Sequence, residues 1–219
     1  DTAYAIPEGI TGIGNGAFSG CTNLTEVSIP EGVTSIGNAA FAGSDYFSYV
    51  DEEGIQHNLN MNLTSITLPN GLISIGRRAF QYCTKLESVV IPDSVTSIGK
   101  YAFSSCESLT SMTIPVGMTS IEDGTFSECS NLAEISIPDT VTAVGSAAFI
   151  SCDSLKDVYF LGTKDAWQNI SFKDSNNPIT KNATIHYFSE WTREKEPTCT
   201  EPGSETSVCP EAGCGKTFT

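Results

Sequence analysis

The chain has 219 residues, 26 acidic against 11 basic side chains, a formal net charge of −15 and 39% hydrophobic residues. That length suits one or two globular domains with a sizeable core, and no apolar run approaches the ~18 residues that span a membrane. So acidic a chain suits neither nucleic acid nor an anionic membrane, whose phosphates call for clustered Lys and Arg, and two histidines leave little for His-based catalysis.

The chain starts at Asp1 without a Met or a signal-peptide pattern, which reads as a processed or cloned fragment. Tyr4-Ala5-Ile6 holds the phase that Val27-Ser28-Ile29 holds later, so the chain is expected to begin mid-repeat, with upstream sequence lost. From there a period of 23 residues runs on, interrupted by one insertion. Ile or Leu followed by Pro recurs at Ile6, Ile29, Leu68, Ile91, Ile114 and Ile137. Phenylalanine recurs at Phe18, Phe41, Phe80, Phe103, Phe126 and Phe149, and cysteine three residues later at Cys21, Cys83, Cys106, Cys129 and Cys152. Matched phases of this kind define a solenoid.

Each coil can be read from its own residues. Val27 and Ile29 stand two apart, the strand period, and Pro30 ends the strand because it has no N–H for the ladder. A second extended piece, Val33-Thr34-Ser35-Ile36, leads through Gly37 into an expected helical turn around Ala39-Ala40-Phe41. Burial of each inward apolar side chain is worth ~1.5–3 kcal/mol, but no coil can bury that face alone. Neighbours must therefore stack, ~4.8 Å apart where strands pair.

The pattern Cys-x-x-Leu-x-x-Val-x-Ile-Pro-x-x-Val-x-x-Ile-Gly-x-x-Ala-Phe resembles the BspA-like leucine-rich repeat family of bacterial surface antigens, in six copies over about residues 6–159. The resemblance implies a right-handed α/β solenoid of short parallel strands and helical turns. Gly162 to Trp167 and Thr184 to Tyr187 are similar to that family's usual end module. Thr163 is the expected N-cap of a short helix carrying Trp167 and Ile170, followed by a closing strand near Thr184–Phe188. The expected organisation is a solenoid over 1–159, a C-terminal capping module over 160–188 and a Cys-containing tail or start of a further module over 189–219.

The in-phase cysteines admit two readings, a metal or redox ladder and a column of buried thiols acting as small hydrophobes; the second is favoured by an inward leucine three residues on. Cys199, Cys209 and Cys214 lie in the polar tail, which is similar to short cysteine repeats that follow such solenoids, except that four residues rather than two separate the last pair. Three thiols fall short of the four ligands of a structural zinc, and His186 is the one local candidate for the fourth. A disulfide with one thiol over, or an incomplete module, is the preferred expectation. Neither a resident metal nor a cofactor is expected.

Strand side chains pointing away from the core define the candidate ligand face: Glu26 and Ser28, Ser65 and Thr67, Ser88 and Val90, Ser111 and Thr113, Glu134 and Ser136, Asp157 and Tyr159. Ser and Thr there suit hydrogen bonding to glycan or protein, and they are also ordinary polar residues of a solvated sheet. Tyr159 is the one aromatic anchor on this face. An acidic column after the prolines, Glu8, Glu31, Asp93 and Asp139, is broken by Asn70 and Val116 and is explained by turn chemistry rather than calcium. The insertion, about residues 45–59, reads as a β-hairpin with a loop at Asp51-Glu52-Glu53-Gly54. Its Tyr46, Phe47 and Tyr49 either mark a contact surface or pack back on the solenoid.

No catalytic constellation stands out, so a non-enzyme is expected. The family resemblance implies a secreted or cell-surface bacterial recognition module that binds a host or microbial surface protein or glycan in an adhesin-like way. A structural spacer displaying another domain, and a carbohydrate-binding accessory module of a larger surface enzyme, remain as alternatives.

Overall fold

A computed structural model describes residues 2–50, 56–59, 61–174, 178–188, 191–195, 204–208 and 217–218. In 44–50, 56–59, 178, 180 and everything after 188, the backbone alone is described. The chain winds as a parallel β-solenoid of about seven turns. One side of each coil supplies strands such as Ala3–Ala5, Glu26–Ser28 and Ser65–Thr67, paired in parallel with Tyr4 beside Val27 and Val27 beside Ile66. A second side supplies two-residue strands, Gly12–Ile13, Ser35–Ile36, Ser74–Ile75 and Ser97–Ile98, with their isoleucines in register. The prolines fall just past the strands of the first side, where the chain turns the corner.

The expected helical turns on the third side are not helices. Arg78, Tyr101 and Ala147 adopt positive φ and are followed four residues later by Tyr82, Ser105 and Ser151, while Gly124 and Glu128 flank Phe126 in the same way; Ala39 precedes Phe41 alone, and the non-glycine values run from 52° to 62°. Two left-handed residues in five break any helix, at ~1–2 kcal/mol for each non-glycine. They also direct alternate N–H groups along the solenoid axis. Phe18 N donates to Ala40 O at 2.7 Å, Phe41 N to Ala79 O at 2.8 Å and Phe80 N to Ala102 O at 2.8 Å, while the intervening N–H groups close turns within the coil. The third side is thus a hydrogen-bonded ladder of its own. Among the described residues, real helix is confined to α1 (Lys164–Gln168) and α2 (Pro178–Lys181).

Inside, six phenylalanines stack in a file with ring centroids 5.0 Å apart at Phe18–Phe41 and 5.8 Å at Phe103–Phe126. Such offset stacking adds ~0.5–1.5 kcal/mol per pair beyond area burial. The cysteines join the same column: Cys83 Sγ donates to Phe41 O at 3.3 Å, Cys106 to Phe80 O at 3.3 Å, Cys129 to Phe103 O at 3.1 Å and Cys152 to Phe126 O at 3.0 Å. Burial pushes the Cys152 thiol up to about 12 and raises those of Cys83, Cys106 and Cys129 well above the ordinary thiol range. These four are protonated, inert fillers of the core, as the small-hydrophobe reading had it, whereas Cys21 in the first coil is exposed and departs from that reading.

The solenoid's last part is irregular. Thr163 Oγ1 accepts from Ala166 N at the start of α1, and Trp167 packs edge-on to Phe160 with centroids 5.2 Å apart. Ser171–Phe172 joins the second sheet and Thr184–Tyr187 the first. The insertion backbone pairs Ser44–Val50 antiparallel with Gln56–Leu59, with Tyr49 opposite His57. The tail strands Trp191–Lys195, Ser204–Val208 and Thr217–Phe218 make an antiparallel sheet, and Cys199, Cys209 and Cys214 lie outside the described residues.

Coil spacing depends on the glycine after each second-side isoleucine. A Cβ on Gly99 sits 2.5 Å from Arg77 N and 2.8 Å from Arg77 Cα, and one on Gly37, Gly76 or Gly145 meets the preceding backbone equally closely. Backbone cannot yield as a side-chain tip can. Gly99→Ala is therefore expected to cost about 1–3 kcal/mol in chemical denaturation. Gly14→Ala at the same phase, where a Cβ meets nothing within 4 Å, should leave the midpoint nearly unchanged.

Candidate binding face

On the first side, alternate strand residues face outward by the two-residue strand period. Glu26 and Ser28, Ser65 and Thr67, and Ser111 and Thr113 are exposed on either side of buried Val27, Ile66 and Met112. Register places Glu26 beside Ser65, Ser28 beside Thr67, Ser111 beside Glu134 and Thr113 beside Ser136. The face does not stay open to its end. Glu134 and Asp157 are half-buried, Ser136 is buried, and Tyr159 is 7% exposed, packed with Phe188 and Leu161 and stacked on His186 at 4.8 Å. His186 Nε2 and Asp157 Oδ1 are 2.8 Å apart. The expected aromatic anchor is therefore covered by residues that arrive nearly thirty positions later in sequence. Tyr46, Phe47 and Tyr49 lie on the first hairpin strand, whose side chains are outside the described residues.

The middle of the face is interrupted. Strand Ser65–Thr67 meets the next coil through a single bridge, Ser65 to Ser88, and a new sheet starts at Ser111–Thr113. The second side lapses at the same joint, between Ser97–Ile98 and Ser120–Ile121. Glu122 there occupies the spacing-glycine position, so its Cβ holds the coil off its predecessor by the contact that Gly145 avoids one coil later. The third side still binds the two coils, with Phe103 N donating to Thr125 O at 2.9 Å, and Met112 and Met118 are buried in the core of the second coil.

The lapse shapes the surface. Val90 stands 82% exposed between two hollows. One, about 620 Å³, is lined by Asn70, Asp93, Ser94, Ser88, Ser111 and Thr113 among others. Its neighbour, about 430 Å³, is lined by Glu31, Ser65, Thr67 and Asn70 and shares Ser88 and Val90. Asn70, Asp93 and Ser94 were not on the strand-face reading, since they sit at the proline corner; Val90, apolar in a Ser/Thr column, was their signal. Of the acidic column, Glu31 Oε2 accepts from Asn70 N at 3.0 Å, which ties one coil to the next. Among the described residues no three His, Cys, Asp or Glu come close enough to hold a metal, and no helix is long and apolar enough to cross a membrane.

Charge is sorted by side. Arg77, Arg78, Lys100 and Lys173 gather at the Ile-Gly corner, with Arg78 over the Tyr101 ring at 5.8 Å. Asp123 bridges Lys100 at 2.6 Å and Lys173 at 2.9 Å and accepts from Ser146 N at 3.0 Å.

A parallel solenoid with this phase of Leu, Ile, Phe and Cys is a leucine-rich repeat protein. A sequence profile of the BspA type leucine rich repeat region matches residues 2–57 and 56–178 in six copies, and the chain belongs to that family. Among solved structures it is similar to a T. pallidum leucine rich repeat protein, 27% identical with a TM-score of 0.52, covering 70% of this chain and 78% of that one. It is also similar to a leucine-rich repeat protein from Bacteroides ovatus, 30% identical with a TM-score of 0.53, covering 72% of this chain and 47% of that one. The chain thus spans about half of the B. ovatus protein. No curated protein sequence gave a match.

The two lysines beside Asp123 hold its carboxyl well below the ordinary carboxylate range. A depressed folded-state pKa contributes stability above the unfolded value, ~3.9, that is lost as pH falls below it toward the folded value. Asp123→Asn should therefore melt earlier than the parent at pH 7, and the gap should close as pH falls below about 4. Thermal melts across pH 2–7 check this.

Proposed function

We propose that the chain is a non-catalytic recognition module of a secreted or cell-surface bacterial protein, which binds a host or microbial surface protein or glycan through its strand face or its hairpin insertion. The observation that carries this is the interrupted strand face, where exposed hydroxyls and a bare Val90 flank two hollows on an otherwise regular ladder. A repeat that departs from its own rule at the surface, while its core stays filled, offers a ligand something the regular coils do not. Family membership supports the surface location. Residues 160–188 close the C-terminal end of the module, with α1 and Trp167 laid against the final coil.

Binding of the purified chain to matrix proteins and host glycans tests this reading. Ser88→Arg with Ser111→Arg should reduce saturable binding by about tenfold or more if the face is used, since a hot-spot contact is worth ~2 kcal/mol. Removal of residues 45–59 should be the damaging change if the hairpin is used. Failure to bind anything on the panel would turn the reading toward a rigid spacer.

A further inference from the structure

The strand side and its proline corner carry carboxylates almost alone. On or beside the strands stand Glu26, Glu87, Glu134 and Asp157, and at the corner Glu8, Glu31, Asp93 and Asp139, eight carboxylates against Lys85 and Lys156 from Ala3 to Leu161. Four of the chain's 11 basic residues sit instead at the Ile-Gly corner, on another side of each coil. The net charge of −15 is therefore not spread evenly. Eight of the chain's 26 acidic residues stand on the side that also holds the two hollows.

Around the lapse this charge takes a definite arrangement. Glu87 and Asp93 bracket Val90 three residues to either side in sequence, Asp93 in the turn after Pro92. Both are exposed, and neither carboxylate is engaged by another side chain among the described residues. Between them lie the exposed isopropyl group of Val90 and the hydroxyls of Ser88, Ser111 and Thr113. Because Val89, Val90 and Ile91 belong to no strand, the surface here is creased rather than flat.

We infer that this creased strand face docks an extended, cationic polypeptide segment, with basic side chains on Glu87 and Asp93 and its uncharged middle over Val90. The inference rests on the reading of the strand face as a binding surface and names its partner class. Complementary charge raises the encounter rate and excludes polyanions, while a buried apolar contact at the centre sets the lifetime of the complex. Sulfated or sialylated glycans and nucleic acids meet repulsion on this side.

The test uses the full chain and a biosensor surface carrying a threonine peptide with a lysine at each end. The same peptide with glutamines for the lysines, heparin, and a neutral high-mannose glycan serve as comparison surfaces. Saturable binding to the lysine peptide that weakens with added NaCl, with little on the glutamine peptide or heparin, is the expected result. Glu87→Lys with Asp93→Lys should weaken it by about tenfold or more, and Val90→Ser by a few-fold. Glu107→Lys with Asp153→Lys makes the same charge change at exposed positions of the third side and should cost less than about threefold. All four substitutions in the two pairs are at exposed residues, so folding, checked by melting, should survive. Equal losses in the two pairs would mean attraction to bulk charge and would overturn the inference. Binding to the neutral glycan alone, lost in Val90→Ser, would overturn it while leaving the strand face as the binding surface. Silence on every surface, here and on the wider panel, would remove both.

Discussion

Everything in this solenoid depends on the distance at which one coil can lie on the next. A coil of 23 residues has strands of two to four residues, too short to hold a shape alone, and an apolar face that it cannot bury by itself. Its hydrogen bonds and its core both belong to the neighbouring coil. The file of phenylalanines, the thiols that donate to the preceding phenylalanine carbonyl and the ladder on the third side all require nearly the same separation. The glycine after the second-side isoleucine makes that separation reachable, because any Cβ there meets backbone first.

The surface follows from that constraint at the one joint where it is relaxed. Glu122 replaces a spacing glycine, and two sides of the ladder lapse between its coil and the one before. Continuity passes to the third side, where Tyr101, Phe103 and Ser105 still donate to the next coil and Lys100 still meets Asp123. Methionine suits the loosened interior because its unbranched chain fills uneven space, and Met112 and Met118 both stand in this coil. The core therefore stays closed while the outside opens. Val90 and its hollows are the outward side of a packing irregularity that spans the joints on either side of its coil on the first side.

Much of this was legible from residue phases. Stacking, strand direction, the inward leucines and the buried thiols each follow from a chemical type that returns every 23 residues. The third side was misread as helical because Ala-Phe runs are good helix formers locally, and no residue type announces a left-handed φ at Tyr101 or Glu128. That conformation is imposed by the neighbouring coil, which offers carbonyls along the axis and none along a helix. Burial of Tyr159 was hidden for a related reason, since Phe188 and His186 reach it only after the irregular segment that contains α1 and α2. The joint was half visible. Val90 and Glu122 each broke a column, but only the fold shows that the two breaks fall at one interface.

Sorting of charge by side has a physical origin in the same stacking. Residues one repeat apart lie about 5 Å apart, so like charges in one column repel unless something intervenes. At the Ile-Gly corner the column mixes chemistries, Asn38, Arg77, Lys100 and Asp123, and its carboxylate is held between Lys100 and Lys173. On the proline corner, uncharged Asn70 and Val116 interrupt the acids, and Glu31 spends its carboxylate on the Asn70 amide. Those interruptions relieve repulsion within the column without cancelling the field outside it. Glu87 and Asp93 project from the coil next to the lapse, and neither forms an ion pair among the described residues. A stacked fold that can neutralise a carboxylate at one corner leaves others without an ion pair at another, beside the lapse in its strand face.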